Sequence, residues 1–393
     1  MFTMKYLRYY ISTLTLTIGL FLCLGVQNGP TILFLGFSLL IIVGDILLKE
    51  EDSRFNYSFP FFLNLPMYIN LPLLILFLLV TITLLSQSAI CDRIILNYLN
   101  INLNSVRENL HAIDKISLVA ISSLFIGVMG TVPGHELVHR KAKKFDMFIG
   151  NWLLSLSWDC AFAIEHVYGH HKNVGLSIDP ATAKRGENIY RFIIRAIVNE
   201  QKDAWKIFLS QSKKTKGSFL SLENKMITGY LRSLFITFFA YIIGGAEGMI
   251  VFLLCAFVAK SLLEVINYTE HYGLVRVPGQ KVRPRHSWNS NSVMSSIFLY
   301  NVTRHSSHHE KASLKYWELH PYKGAPMMPY GYLSMLYLAI FLPPVFHKLM
   351  CKKLVEWDSK YASKSERILA ENQNLDSGLS LLQKNNHAID LGA

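Results

Sequence analysis

The chain has 393 residues, of which 51% are hydrophobic and 12% aromatic, and it carries a net charge of +12. So much apolar material, gathered in long runs, excludes an ordinary soluble protein, and the excess of Lys and Arg reads as membrane topology and attraction to anionic headgroups rather than nucleic-acid binding. The five cysteines (Cys23, Cys91, Cys160, Cys255 and Cys351) include no C-x-x-C pair, which excludes a fused rubredoxin-like or zinc-ribbon module.

A membrane helix needs roughly 20 mostly apolar residues. Six runs meet that demand, at about 8–27, 31–48, 68–87, 116–133, 231–246 and 247–266. The expected fold is therefore an all-α integral membrane protein of about six transmembrane helices. The first run looks like a signal peptide, but no A-x-A-like site follows it. A second run begins just beyond Gln27-Asn28-Gly29-Pro30, so a retained hairpin is expected. A polar break at Lys49–Phe55 (KEEDSRF) precedes the next two spans, and residues 1–133 read as spans one to four. Residues 134–230 read as a water-facing region with histidine clusters and basic helical segments such as Ile189–Val198. Residues 231–266 read as a tight hairpin of spans five and six, turning at Gly244-Gly245. Residues 267–350 hold the last histidine cluster and a Pro-rich, aromatic segment from Pro321 to Pro344. Within it, the apolar stretch 329–346, interrupted by Pro343-Pro344, reads as an interfacial helix or a short re-entrant piece. Residues 351–393 read as a polar tail, frayed from about Ser359 because it lacks apolar periodicity. Lys and Arg crowd the stretch from Arg140 to Arg232, and Lys5 and Arg8 precede the first span. The positive-inside rule then places the N-terminus, the stretch after His139 and the C-terminus in the cytoplasm, so the histidine-rich cap is expected on that side.

Nine of the 14 histidines fall into three clusters and a singleton: His135 and His139 in HELVH, His166, His170 and His171 in HVYGHH, His271 in NYTEHYGL, and His305, His308 and His309 in RHSSHH. Residues three or four apart share a helix face. Each cluster can thus aim two or more imidazoles at one point, with helicity weakest at Gly169. Neutral imidazole is a good transition-metal ligand, and nine exceed what one tetrahedral zinc can use. The count points to two metal ions. HELVH also fits H-E-x-x-H, the zinc-protease pattern, with Glu136 as general base. That reading leaves seven of the histidines unused. Glu136 reads instead as a carboxylate holding an imidazole N–H, or as a helix-surface charge.

The set HELVHR, EHVYGHH and RHSSHH resembles the histidine boxes of the integral-membrane di-iron superfamily of fatty-acid desaturases and hydroxylases. NYTEHYGL (Asn267–Leu274), RHSWNSN (Arg285–Asn291) and FLYNVTRHSSHHE (Phe298–Glu310) are similar to the signature of membrane alkane 1-monooxygenases. The resemblance runs from about His135 to Pro344, and NYTEHYGL is its specific part. It departs at Thr303, where the family usually has Gln, and at Ser307, where it usually has Asp. These bear on substrate rather than on metal binding.

The resemblance implies that His135, His139, His166, His170, His171, His271, His305, His308 and His309 are ligands of two iron ions, and that no further catalytic residue is needed beyond them. His286, in RHSWNSN, reads as a supporting residue, and His111, His320, His347 and His387 receive no metal role. Glu136, Glu165, Asp179, Glu264, Asn267 and Glu270 are candidate partners of the ligands' outer nitrogens. The implied reaction is O₂-dependent hydroxylation of the terminal carbon of an alkane, in a bacterial inner membrane with the site facing the cytoplasm. Its electrons come from a rubredoxin or ferredoxin-type donor, and NAD(P)H enters only through a reductase. Phe, Leu, Ile and Met on spans two, three, five and six are candidates to line a hydrocarbon channel from the lipid. An acyl-chain desaturase or hydroxylase and a methyl-arene monooxygenase remain alternatives within the superfamily. A membrane zinc protease and a metal-handling transporter are the alternatives outside it.

Overall fold

A computed structural model of the chain describes residues 2–48, 50–87, 89–215 and 224–389. Lys49 of the polar break, residues 216–223 of the basic region and residues 390–393 of the tail lie outside the described residues. Among the described residues there is no β-strand, only an isolated bridge between Asn289 and Met327. Five helices among the described residues are long and apolar enough to cross a membrane: Lys5–Gly25, Gly29–Leu47, Pro60–Leu85, Ala112–Val138 and Lys225–His271. Along them, Phe21, Leu35, Leu39, Phe235, Phe238 and Ile250 are exposed. Water does not tolerate so much exposed apolar surface, whereas a bilayer does, and the chain is a multi-pass membrane protein.

The six apolar runs become five helices because the last two lie in one 47-residue element, Lys225–His271. That element is not straight. Gly244 (φ −123°, ψ 16°) and Gly245 (φ 61°, ψ −153°) break it. A Cβ on Gly248 would lie 2.7 Å from Ala240 O, whereas residues eight apart in a continuous helix are about 12 Å apart. The chain therefore doubles back here, through a backbone conformation that is essentially glycine's alone at Gly245. The Pro60–Leu85 helix begins ahead of the 68–87 run because Pro66 and Pro72 do not end it, proline being tolerated in membrane helices.

The fourth span contains the local feature that aims the first histidines. Ile126–Thr131 form a wide π-turn, with Val132 N–H bonded to Gly127 O, and Pro133 follows. Proline has no N–H, so carbonyls outnumber donors at this point. Met129 O takes its hydrogen bond from Asn70 Nδ2 of the third span, at 3.1 Å. Asn70 is completely buried and also accepts from Thr13 Oγ1 of the first span.

The segments outside the apolar helices are held to them by a buried carboxylate. Asp45, on the second span, accepts from Ser292 Oγ (2.5 Å), Ser295 N (3.0 Å), Ser295 Oγ (2.7 Å) and Ser334 Oγ (2.8 Å). It thereby ties the starts of the short helices Val293–Phe298 and Tyr332–Phe341 to the membrane bundle. The ten residues of Tyr332–Phe341 are too few to cross a bilayer.

The tail departs from expectation. Rather than fraying from Ser359, it is helical over Pro343–Lys360, Lys364–Asp376 and Ser380–Ile389. Trp357 and Glu366 are completely buried in it. Polar contacts hold it in place: Arg185 reaches Asp358 at 2.6 Å and Asn374 at 2.7 Å, and Arg285 reaches Glu366 at 2.9 Å. Such anchors have no periodicity for a sequence reading to detect.

Candidate metal centre

All nine histidines of the boxes converge. They form two groups, His135, His139, His166, His171 and His308 in one, and His170, His271, His305 and His309 in the other. Within each group the ligand-type atoms all lie within 4.8 Å of one another, and the arrangement could hold a metal ion. The groups adjoin, with the rings of His171 and His309 only 4.5 Å apart between centroids.

Local backbone decides which ring joins which group. His135 lies in the last turn of the fourth span and His139 caps it, so their i,i+4 spacing faces both to one point. In the second cluster α-helical spacing pairs His166 with His170, and the structure does otherwise. His166–His170 form a second π-turn. The wider turn brings His166 beside His171, Nε2 to Nε2 at 3.1 Å, and sends His170 to the other group. Such π-turns are rare and concentrate at functional sites. Gly169 packs closely within it: a Cβ there would lie 2.4 Å from Glu165 Oε1, so that carboxylate would have to move. In the helix His305–Glu310, His305 and His309 face each other at 2.9 Å. His308, three residues on from His305, points instead to His135 at 3.0 Å. His271 ends the long broken helix and lies 3.2 Å from His305, Nε2 to Nε2.

These separations test whether a metal fits. Two nitrogens each about 2.1 Å from one ion lie about 3.0 Å apart at right angles, and about 3.4 Å apart at the tetrahedral angle. The four closest pairs measure 2.9, 3.0, 3.1 and 3.2 Å. The nest thus suits a five- or six-coordinate ion better than a tetrahedral zinc, and the first group's five imidazoles exceed zinc's four. His139 Nε2 and His170 Nε2 are buried without a hydrogen-bond partner among the described residues. Uncompensated buried nitrogens are costly, and a metal would satisfy them.

Electrostatics keep the donors in the ligating form. Burial, then the mutual repulsion of neighbouring rings, holds His166, His171, His305, His308 and His309 well below the ordinary histidine value. His170 is the exception outside the spans. Burial lowers it, but the Asp179 carboxylate, 3.0 Å from its Nδ1, raises it on balance. Thr182 Oγ1 in turn donates to Asp179 at 2.6 Å.

The other candidate partners divide. Glu270 Oε2 lies 3.2 Å from His305 Nε2, and its Oε1 has no hydrogen-bond partner among the described residues. Glu165 Oε1 is likewise buried and unpartnered, and burial with the nearby Asp179 charge pushes its carboxyl up to about 8. Glu136 is engaged by Arg140 (2.6 Å), which also reaches Asp146 (3.2 Å), rather than by an imidazole. The protease reading needs that carboxylate free as a base, and it is not free. Glu264 pairs with Lys260 at 2.6 Å and accepts from Asn267 at 3.1 Å. Lys260 also reaches Asp159 (3.0 Å) and Glu200 (2.7 Å), the partners an intramembrane cation requires. Sequence reasoning missed Asp159 and Glu200, though a lysine inside an apolar run was the signal for them.

His286 joins neither group. Its backbone carbonyl accepts from His271 Nδ1 at 3.1 Å and its ring bonds to Glu366 at 2.7 Å. A backbone acceptor leaves no trace in sequence. Phe162, also missed, stacks on His166 with centroids 4.4 Å apart and meets the edge of His135 at 5.5 Å. His111, His320 and His347 stand outside both groups, and the side chain of His387 lies outside the described residues.

Residues 116–339 match the family described as fatty acid desaturase. The chain is similar to alkane 1-monooxygenase 1 of Pseudomonas aeruginosa, at 36% identity over 66% of this chain and 68% of that protein. It is also similar to the alkane 1-monooxygenase of Acinetobacter baylyi, at 36% identity over 64% of this chain and 62% of the relative. The xylene/toluene monooxygenase hydroxylase component XylM of Pseudomonas putida is 32% identical, over 66% of this chain and 70% of its own length. Across these curated relatives the match spans 60% to 70% of their own length.

Proposed function

The chain belongs to the fatty acid desaturase family, alongside the alkane 1-monooxygenases, and from that premise we propose that it hydroxylates the terminal carbon of an alkane or related hydrocarbon. The observation that carries this reading is the double nest of nine imidazoles, whose ligand-type atoms lie within 4.8 Å of one another in each group. An alkane has no polar handle for acid–base catalysis, and two iron ions held by these rings would supply the O₂ activation that its C–H bond demands. In the balanced reaction, hydrocarbon, O₂, two electrons and two protons give a primary alcohol and water.

The chain's own residues would do the rest. His135, His139, His166, His171 and His308 would hold one ion, and His170, His271, His305 and His309 the other. Asp179 fixes the ring of His170, and the His286 carbonyl fixes that of His271, each leaving Nε2 toward the centre. Phe162 shields His135 and His166 from water. Substrate would arrive from the bilayer, into which hydrocarbons partition. An apolar cleft of about 180 Å³ between the third span, the Lys144–Ser155 helix and the first arm of the broken helix, lined by Leu71, Leu78, Trp152, Phe235 and Phe239, suits such a route. In this reading the reversal at Gly244-Gly245 gives six crossings. Both termini and the histidine cap face the cytoplasm across a bacterial inner membrane, where basic residues meet an acidic rubredoxin or ferredoxin-type donor. The similarity to XylM favours a methyl-arene as the second substrate class.

The test is conversion of octane, dodecane, xylene and a fatty acid by cells expressing the protein, with metal analysis of the purified enzyme. 1-Octanol or 1-dodecanol with about two irons per chain is expected. A methylbenzyl alcohol alone moves the substrate to arenes, a new double bond moves the reaction to desaturation, and one zinc with little iron sinks the proposal.

A further inference from the structure

The C-terminal helices lie beyond residue 339, where the family match ends. Yet they reach the second histidine group through a short relay. Glu366, in Lys364–Asp376, is completely buried. Its carboxylate accepts from His286 Nε2 (2.7 Å), Arg285 Nε (2.9 Å), Arg285 Nη2 (3.2 Å) and Ser363 N (2.8 Å). The His286 ring cannot turn freely, because its Nδ1 accepts from Arg283 N at 3.0 Å. That contact fixes the tautomer: Nδ1 is the acceptor, so Nε2 carries the proton and donates it to Glu366. The same residue's carbonyl accepts from His271 Nδ1 at 3.1 Å, and His271 Nε2 faces His305 at 3.2 Å. Trp357 Nε1, from the helix before, donates to Arg285 O at 2.6 Å and braces the same strip of chain.

We propose that Glu366 is a positioning residue of the metal centre: through the ring of His286 it sets the carbonyl that orients His271, so that the C-terminal helices are part of the second metal site rather than an appendage. This rests on the reading of His271 as a ligand.

The geometry supports this relay over a simple surface staple. A staple needs only the exposed-side pair between Arg285 and Glu366, whose guanidinium is a quarter exposed. The contact between His286 and Glu366 is completely buried on both sides. The carboxyl is also held as an anion. Burial raises it, but the hydrogen bonds from His286, Ser363 and Arg285 bring it down to about 2. An ionised acceptor makes the stronger and more directional bond.

The test uses the full chain in detergent, stripped of metal and titrated with Co(II), whose visible bands report each site's geometry. Native protein is expected to take two ions with distinguishable bands. Glu366→Ala should weaken only one of them, by up to about tenfold, the lower end of the effect of removing a ligand's direct outer partner because the His286 carbonyl stays in place, and should shift its band. Glu366→Gln, whose amide oxygen can still accept from His286 but which carries no charge, should recover part of that loss. Arg285→Ala removes two hydrogen bonds to the Glu366 carboxylate but keeps the one from His286, so it should disturb that band less than Glu366→Ala does. His286→Phe supplies the same test should Glu366→Ala fail to fold, because it removes the ring contact and leaves the Arg285 pair intact. If both relay variants titrate like native protein while His271→Ala loses one ion, the relay is wrong and the ligand reading stands. If His271→Ala itself binds two ions normally, the ligand reading falls and takes the relay with it. Equal weakening of both ions in the relay variants would mean a general loss of structure and would also overturn the proposal.

Discussion

Replacing Asn70 by leucine should disturb the metal centre from a distance, and the size of the effect follows from a few contacts. Asn70 donates to Met129 O at 3.1 Å, and lies 3.2 Å from Tyr300 Oη and 3.3 Å from Ser12 Oγ. The two hydroxyls already bond to each other at 2.9 Å, so they lose little. Met129 O is worse placed, because Pro133 carries no N–H for it and Val132 N–H bonds to Gly127 O. A buried carbonyl left unpaired costs about 1–3 kcal/mol; leucine shares asparagine's branched shape but is larger, so overpacking at this buried site adds to the loss. The strain should show in the π-turn. If the extra residue is expelled, everything downstream rotates by about 100°, one residue's turn of helix, and His135 leaves its group. Thermal unfolding and metal content of Asn70→Leu in detergent measure the two effects. Pro133→Ala supplies an N–H for Met129 O, so the double variant should recover much of the stability, with a coupling of about 1–3 kcal/mol. Native stability in Asn70→Leu, or an undiminished loss in the Pro133→Ala background, would refute the idea that this carbonyl depends on Asn70.

Two further outcomes are expected. Asp179→Asn removes the charged partner of His170 Nδ1 and should weaken one of the two metal ions about tenfold to a hundredfold, as read by Co(II) titration; no change, or equal weakening of both ions, counts against the assignment of His170 to its group. Arg140→Gln leaves Glu136 and Asp146 buried without their cation and should cost about 3–5 kcal/mol in unfolding measurements; a change under 1 kcal/mol would show that the pair is solvated in the membrane-bound protein.

Which parts of this molecule could be read from its sequence follows from how far each signal reaches along the chain. Apolar runs report spans directly, because a bilayer demands unbroken length, and the histidines report a candidate metal site because several rings recur at helical spacing. The partition of those rings was not legible. It depends on two π-turns, and a reading that assumes 3.6 residues per turn pairs His166 with His170 when the backbone pairs it with His171. At Gly244-Gly245 the chain reverses between two helical arms that follow one another without an intervening loop.

The least legible contacts are the ones that join the histidine-bearing segments to the apolar helices. Inside a bilayer there is no hydrophobic drive between helices, so close packing and polar contacts hold them together. Here the polar contacts extend to the cap. Asp45 joins the second span to the loops around Ser292 and Ser334, and Lys260 joins the last span arm to Asp159 and Glu200. Arg185 and Glu366 join the tail to the segments carrying His271 and His286. Each is a single charged residue that meets partners far away in the chain, so none produces a periodic pattern, and the tail that depends on two of them reads as disordered. Because an unpaired charge at such a place is expensive, each of these residues also penalises any other docking of cap on bundle. In a nest where nitrogens must lie within a few tenths of an ångström of their working separation, fixing that docking matters as much as the imidazoles themselves.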